Sequence, residues 1–133
     1  NTTVLRKEFV KNKKYKPSDY TFEAYKKHEA KNRYDDVICI DATRVILKGR
    51  PPEDDYIHAN WMVMPDSQKY ICTQGPIQET ITDFWHMIFT EKGNVIVMLC
   101  DFKEGNTVLP PSAVKSRFFA LGSERHGREC KGS

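Results

Sequence analysis

Four cysteines and four histidines are the side chains in this 133-residue sequence best suited to nucleophilic or metal chemistry. Cys39, Cys72, Cys100 and Cys130 stand far apart with no C-x-x-C pair, so their spacing spells neither a redox couple nor a zinc ligand set. Three of them lie in apolar or strand-like stretches, where an unpaired Cys behaves as a small hydrophobe. A disulfide framework is not expected at this size and composition. His28, His58, His86 and His126 share no metal-ligand spacing and read as structural or surface histidines. Neither a metal nor a cofactor is expected. Asn1-Thr2-Thr3 fits a glycosylation acceptor, but the polar, basic residues around it do not read as a secretory signal, so the match reads as accidental.

Charge is spread unevenly along the chain. Residues 1–34 hold ten Lys/Arg against four Asp/Glu, a net of +6; residues 35–106 hold six against twelve, a net of −6; residues 107–133 hold five against two, a net of +3. A basic arm can bind nucleic acid or acidic lipid. Here the lysines interleave with apolar residues at helical spacing, which favours a solvated helix face, and no nucleic-acid partner is expected. With 39% hydrophobic and 29% charged residues, the chain has the make-up of one soluble domain with a single core. Its longest apolar run, Val95 to Cys100, is strand length, well short of the roughly 18 residues that cross a membrane. Asn rather than Met at position 1 suggests a chain cut from something longer, with the cytoplasm as the expected compartment.

The elements that must position any site follow from periodicity and breakers. Leu5, Phe9 and Val10 predict a helix from about 3 to 13, capped at Thr2 or Thr3. A second short helix follows Pro17-Ser18-Asp19 and buries Phe22 and Tyr25. Both helices are amphipathic and need something to pack on. Lys31 to Asp36 is polar and reads as a loop. Arg44 to Leu47 and Asp55 to Met64 predict strands, and Pro65-Asp66-Ser67 turns the second into a hairpin with Lys69 to Thr73. Gly75-Pro76 breaks the chain. Thr80-x-x-Asp83 resembles a capping box, and Phe84, Met87 and Ile88 carry a helix to a stop at Gly93. The run 95–100 then predicts a strand buried on both faces. The pattern is α/β (α+β), with antiparallel and also parallel pairings. After Asn106 periodicity weakens, Pro110-Pro111 intervenes, and disorder is expected from about 122.

Six segments, in this order, resemble the tyrosine-specific protein phosphatase family. They are Asn32-Arg33-Tyr34 with Asp36 and Val37; Asp41-x-Thr43-Arg44-Val45-x-Leu47; Asp55-Tyr56-Ile57-x-Ala59-Asn60; Tyr70-Ile71-x-Thr73-Gln74-Gly75-Pro76; Asp83-Phe84-Trp85-x-Met87-Ile88; and Ile96-Val97-Met98-Leu99. The resemblance covers 32–106 and implies the N-terminal part of a phosphatase domain over 1–106, followed by a divergent tail over 107–133. The implied fold has N-terminal helices, then a highly twisted mixed β-sheet with a packed helix. The resemblance also implies a phosphotyrosine-protein substrate and dephosphorylation through a phosphocysteine intermediate. Tyr34 would wall the cleft against the phenyl ring. Asp36 would accept hydrogen bonds from the peptide backbone, and Val37 would add apolar contact. Asp55, Tyr56, Asn60, Gln74, Gly75, Pro76 and Trp85 would be scaffold: Tyr56 and Asn60 fixing strand geometry, Gln74 to Pro76 a tight turn, Trp85 helix packing. Glu104 resembles a family glutamate that pairs with the phosphate-binding arginine.

The family's chemistry needs a low-pKa Cys thiolate, an Arg six residues later and a Trp-Pro-Asp acid loop. The position six after Cys39 is Val45, after Cys72 is Gln78 and after Cys100 is Asn106, while that after Cys130 falls past Ser133. Met64-Pro65-Asp66 lies upstream of Thr-Gln-Gly-Pro and reads as a hairpin turn. His126-Gly127-Arg128-Glu129-Cys130 has signature residue types in the wrong order. No catalytic residue is therefore assigned, and this chain by itself is expected to be inactive: a truncated product, a fragment or an alternative gene model. A catalytically dead interaction module, or pseudophosphatase, is the alternative. Basic-arm binding to nucleic acid or membrane ranks below both.

Overall fold

The computed structural model describes residues 2–12, 15 and 18–99, and the backbone of 103–104, 107–108 and 119–122. Helix α1 (Thr2–Asn12) forms where the apolar spacing places it, yet buries nothing: Leu5 and Phe9 are each 65% exposed. The expectation of a packing partner for α1 is not met among the described residues. Helix α2 (Glu23–Lys27) buries Tyr25 and leaves Phe22 half-buried just before it. Its first two free N–H groups, on Glu23 and Ala24, donate to the Asp41 carboxylate at 2.8 and 3.1 Å, a cap supplied from 17 and 18 residues away.

Strands β1 (Arg44–Ile46), β2 (Tyr56–Val63) and β3 (Lys69–Thr73) form an antiparallel meander. The β2–β3 register runs from Ala59↔Thr73 to Val63↔Lys69 across the expected turn, where Ser67 takes φ 65° and its N–H donates to Met64 C=O at 2.8 Å. The turn after β1 uses Gly49 at φ 76°, a conformation open to glycine because it has no Cβ. Helix α3 (Ile81–Thr90) packs on one face of the meander, and β4 (Val95–Met98) follows it. Two short strands, β5 (Lys103–Glu104) and β6 (Thr107–Val108), pair with each other, and β7 (Phe119–Gly122) inserts between β3 and β4 to give the order β1-β2-β3-β7-β4. The fold is α+β as expected. Every pairing among the described strands is antiparallel, so the parallel pairing also read from the sequence is not among them.

Alternation along β2 explains where the core sits. Ile57 and Ala59 face α3 and join Val45, Leu47, Ile71, Phe84 and Met87. Tyr56 and His58 alternate with them, and Tyr56 joins Tyr25 and Cys39 in a second cluster on the other face. The first half of β2 is thus covered on both sides, whereas Met62 and Val63 are exposed. Strand β4 departs from expectation. It is the last strand of its sheet, and Val95, Ile96 and Val97 are 56%, 39% and 44% exposed, not buried on both faces. Apolar content alone marks a strand without saying what covers it.

Two further local expectations give way to long-range partners. Thr80 precedes α3 but does not cap it; its Oγ1 accepts the Ile77 N–H at 3.0 Å and donates to the Ile77 carbonyl at 3.3 Å. Asp83, the other half of the expected capping box, pairs instead with Arg50 at 2.8 Å and Lys31 at 3.0 Å.

Candidate functional site

The loop that carries Tyr34, Asp36 and Val37 leaves the short turn Glu29–Lys31 and is tied down at its base from several directions. Asn32 donates through Nδ2 to the Tyr25 carbonyl at 3.0 Å, and its Oδ1 accepts the buried Tyr56 hydroxyl at 2.6 Å. Arg33 is held by the segment after β3. Its backbone N–H donates to Gln74 Oε1 at 2.9 Å, its Nε to the Gly75 carbonyl at 3.0 Å and its Nη2 to the Pro76 carbonyl at 2.7 Å. Gln74 Nε2 completes the exchange by donating to the Lys31 carbonyl at 2.8 Å. Gln74 to Pro76 carries no turn, against expectation: its carbonyls are spent on the guanidinium fork, which suits two acceptors side by side. The Tyr25 hydroxyl lies 3.1 and 3.0 Å from the Tyr34 and Asp35 carbonyls and donates into that pair.

A charged cluster anchors Lys31, the residue before the loop. Its ammonium lies 3.0 Å from both Asp54 and the buried Asp83, and Arg50 bridges the same two carboxylates at 2.7 and 2.8 Å. The Asp83 Oδ2 contact is an ion pair by distance but lacks hydrogen-bond alignment. Burial works against the Lys31 charge, and the hydrogen bond to Asp54 together with the neighbouring Asp83 carboxylate more than offsets it, so its pKa is raised. Arg44 grips the buried Asp55 with both terminal nitrogens at 3.0 and 3.2 Å, which ties β1 to the start of β2.

On this frame Tyr34 and Val37 are half-buried and Asp36 is exposed. Val37 lines a small pocket of about 80 Å³ with Ile38, His58, Asn60, Cys72 and Thr73. Asn60 is half-buried and donates through Nδ2 to the Ile40 carbonyl at 2.9 Å and to Thr43 Oγ1 at 3.0 Å. Trp85 does not pack α3 on the sheet. It is 57% exposed, edge-on to Phe84 at 5.5 Å, because the buried face of α3 is set by Phe84 and Met87. Glu104 lies on β5, and its side chain, like Cys100, His126, Arg128 and Cys130, is outside the described residues. The reading of sequence motifs missed Tyr25, Lys31, Arg50, Asp54 and Asp83 as parts of the loop's support, and Asp41 as a cap.

Neither described cysteine has the character of a nucleophile. Cys39 is 1% exposed with Sγ 3.7 Å from the Ala59 carbonyl, and burial pushes its thiol pKa up. Burial raises the Cys72 thiol as well. A thiol held protonated is a poor nucleophile.

A sequence model described as protein-tyrosine phosphatase matches residues 28–112, more than half of the chain. The chain belongs to the protein-tyrosine phosphatase family. Tyrosine phosphatase-like protein J1 of Microplitis demolitor bracovirus (isolate Webb) is 42% identical over 81 residues, 60% of this chain and 27% of the viral protein. Tyrosine phosphatase H2 of the same virus is 42% identical over 89 residues, covering 65% and 27%. Human tyrosine-protein phosphatase non-receptor type 4 is 48% identical over 75 residues, covering 53% and 8%. The chain therefore spans about a quarter or less of the length of these relatives. The match starts at His28 and takes in the whole phosphatase-like loop, its Gln74 to Pro76 anchor and α3, the parts that the hydrogen bonds and ion pairs above join together. Among the described residues no helix is long and apolar enough to cross a membrane.

Proposed function

We propose that this chain supplies the phosphotyrosine-recognition part of a protein-tyrosine phosphatase, with the tail beginning after Asn106. Tyr34 walls the cleft against the phenyl ring, Asp36 accepts backbone N–H groups of the bound peptide, and Val37 gives apolar contact. The observation that carries the reading is the double anchoring of the loop base, Arg33 and Gln74 on one side and Tyr25 on the other. A loop fixed at its base holds Tyr34, Asp36 and Val37 in one arrangement before ligand arrives, which lowers the ordering cost of binding. The reaction served by the whole protein is hydrolysis of phosphotyrosine in proteins through a phosphocysteine.

These 133 residues alone do not turn over substrate. They contain no Cys-x5-Arg, and Cys39 and Cys72 are thiols rather than thiolates. Phosphotyrosine affinity is correspondingly weak, because charge-assisted contacts to the phosphate carry most of it. An NMR titration with phosphotyrosine peptides reads both points. Saturable shifts at residues 34–38, lost in Tyr34→Ala and unaccompanied by phosphate release, are expected. Vanadate-sensitive turnover would refute the inactivity, and shifts spread over α1 and α3 with none at 34–38 would refute the recognition role. The chain acts in the cytoplasm on this reading.

A further inference from the structure

The pocket under Val37 contains a polar group with nothing to bond. His58 is 6% exposed, on the strand face it shares with Tyr56, and meets the Tyr25 ring edge-on at 5.7 Å. The other polar side chains around it are engaged. Asn60 donates to Ile40 and Thr43, Thr73 Oγ1 donates to the His58 carbonyl at 2.9 Å, and Gln74 bonds Lys31 and Arg33. The imidazole has no hydrogen-bond partner at Nδ1, which is sealed from solvent. Burial keeps the ring neutral, so it carries one N–H. Placing that hydrogen on sealed Nδ1 would bury a donor with no acceptor, so it belongs on Nε2, the ring nitrogen that is not sealed, in a residue that lines the pocket.

We infer that this pocket is a specificity subsite in which His58 Nε2–H donates to a small, neutral side chain carrying an acceptor oxygen (Ser, Thr or Asn) next to the phosphotyrosine of a bound peptide. The inference rests on the recognition reading above. Size supports a small occupant, since the pocket measures about 80 Å³. Chemistry supports one acceptor among apolar walls, because Val37, Ile38 and Cys72 line it beside the single idle donor. Charge supports a neutral occupant: Asp35 and Asp36 stand exposed on the same loop and repel carboxylates. Continuity with the site is direct, as Val37 belongs to both.

The test is a titration of the full chain, by NMR, with phosphotyrosine peptides that differ only in the residue on either side of the phosphotyrosine. Thr or Asn at one of these positions should bind about five-fold tighter than Ala or Leu, the worth of one net hydrogen bond. His58→Phe should abolish that preference while leaving the Ala peptide unchanged. Equal affinity for all flanking residues, or a preference that survives His58→Phe, would overturn the subsite and leave the recognition role standing. Binding of no phosphotyrosine peptide would remove both. Long-range 1H–15N correlation on the unmutated chain gives a reading that does not depend on a variant folding: an Nδ1–H tautomer would overturn the assignment outright.

Discussion

Replacing Arg33 by Ala isolates the anchor at the base of the loop proposed for phosphotyrosine recognition. The substitution removes two charge-assisted hydrogen bonds, Nε to Gly75 at 3.0 Å and Nη2 to Pro76 at 2.7 Å, and keeps the backbone N–H to Gln74. Gly75 and Pro76 are buried, so their carbonyls are not simply handed to water. A hydrogen bond to a charged group contributes about 1.5–3 kcal/mol, and the half-buried guanidinium lets solvent recover part of it, so a loss of about 2–4 kcal/mol is expected. Arg33→Lys should recover about half of this, because an ammonium lacks the planar fork that serves two acceptors at once. Gln74→Ala acts on the same loop, so the double variant should fall short of the sum of the single losses. Urea unfolding followed through Trp61 and Trp85 fluorescence measures the four variants against the parent chain, and unchanged m-values keep the comparison valid. A loss below about 0.5 kcal/mol for Arg33→Ala, or Lys equal to Arg, would refute the claim that this fork fixes the loop.

Other consequences are smaller or more local. Met87 is fully buried between α3 and the sheet, so Met87→Ala should cost about 2–5 kcal/mol in the same urea assay; a cost below about 1 kcal/mol would mean α3 is not docked as described. Burial lowers the His58 pKa from 6.5 to about 4, so the folded chain resists a proton that the unfolded chain takes up. Its stabilisation is complete above pH 6.5 and falls as pH drops toward 4, so the chain should lose about 2 kcal/mol more between pH 7 and 5 than His58→Asn does. Parallel losses in the two chains would exclude His58 as the source. Strand β4 ends its sheet with three exposed apolar residues, so Val97→Lys should reduce self-association in light scattering and change stability by about 0.5 kcal/mol or less; strong destabilisation would place Val97 in a core.

What could be read from sequence was what local chemistry decides. The β2–β3 hairpin follows from Pro65-Asp66-Ser67 between two strand-forming runs, and the buried pair Phe84 and Met87 from helical spacing. Where local and distant partners competed, sequence misled. Thr80-x-x-Asp83 has the residue types of a capping box, but two cations from residues 31 and 50 claim Asp83. Asp41 reads as the entry to β1, yet its carboxylate closes the N-terminus of α2, which precedes it by 17 residues. Trp85 belongs to a recognisable motif, yet on the helix it falls outside the arc of Phe84 and Met87. Within the loop, Tyr34, Asp36 and Val37 were nameable by family resemblance, as were Tyr56 and Gln74 to Pro76 as scaffold, while the other supports of that loop were not. Tyr25, Arg50 and Asp54 carry no local sign that they act on residues elsewhere in the chain.

The placement of those supports bears on how recognition relates to chemistry. Every described tie at the base of the loop comes from residues 25–83: Tyr25 on the Tyr34 and Asp35 carbonyls, Tyr56 on Asn32, Gln74 to Pro76 on Arg33, and Asp54 with Asp83 on Lys31. Not one of these ties involves a thiolate or a phosphate-binding arginine. Because side-chain hydrogen bonds and ion pairs act over a few ångströms, these described groups hold the base of the loop by direct contact. On the proposed recognition role, loosening this base and removing the catalytic groups are distinct perturbations. Substitutions at Arg33 or Asp83 should weaken peptide binding by loosening the loop, and would do so whether or not hydrolysis takes place.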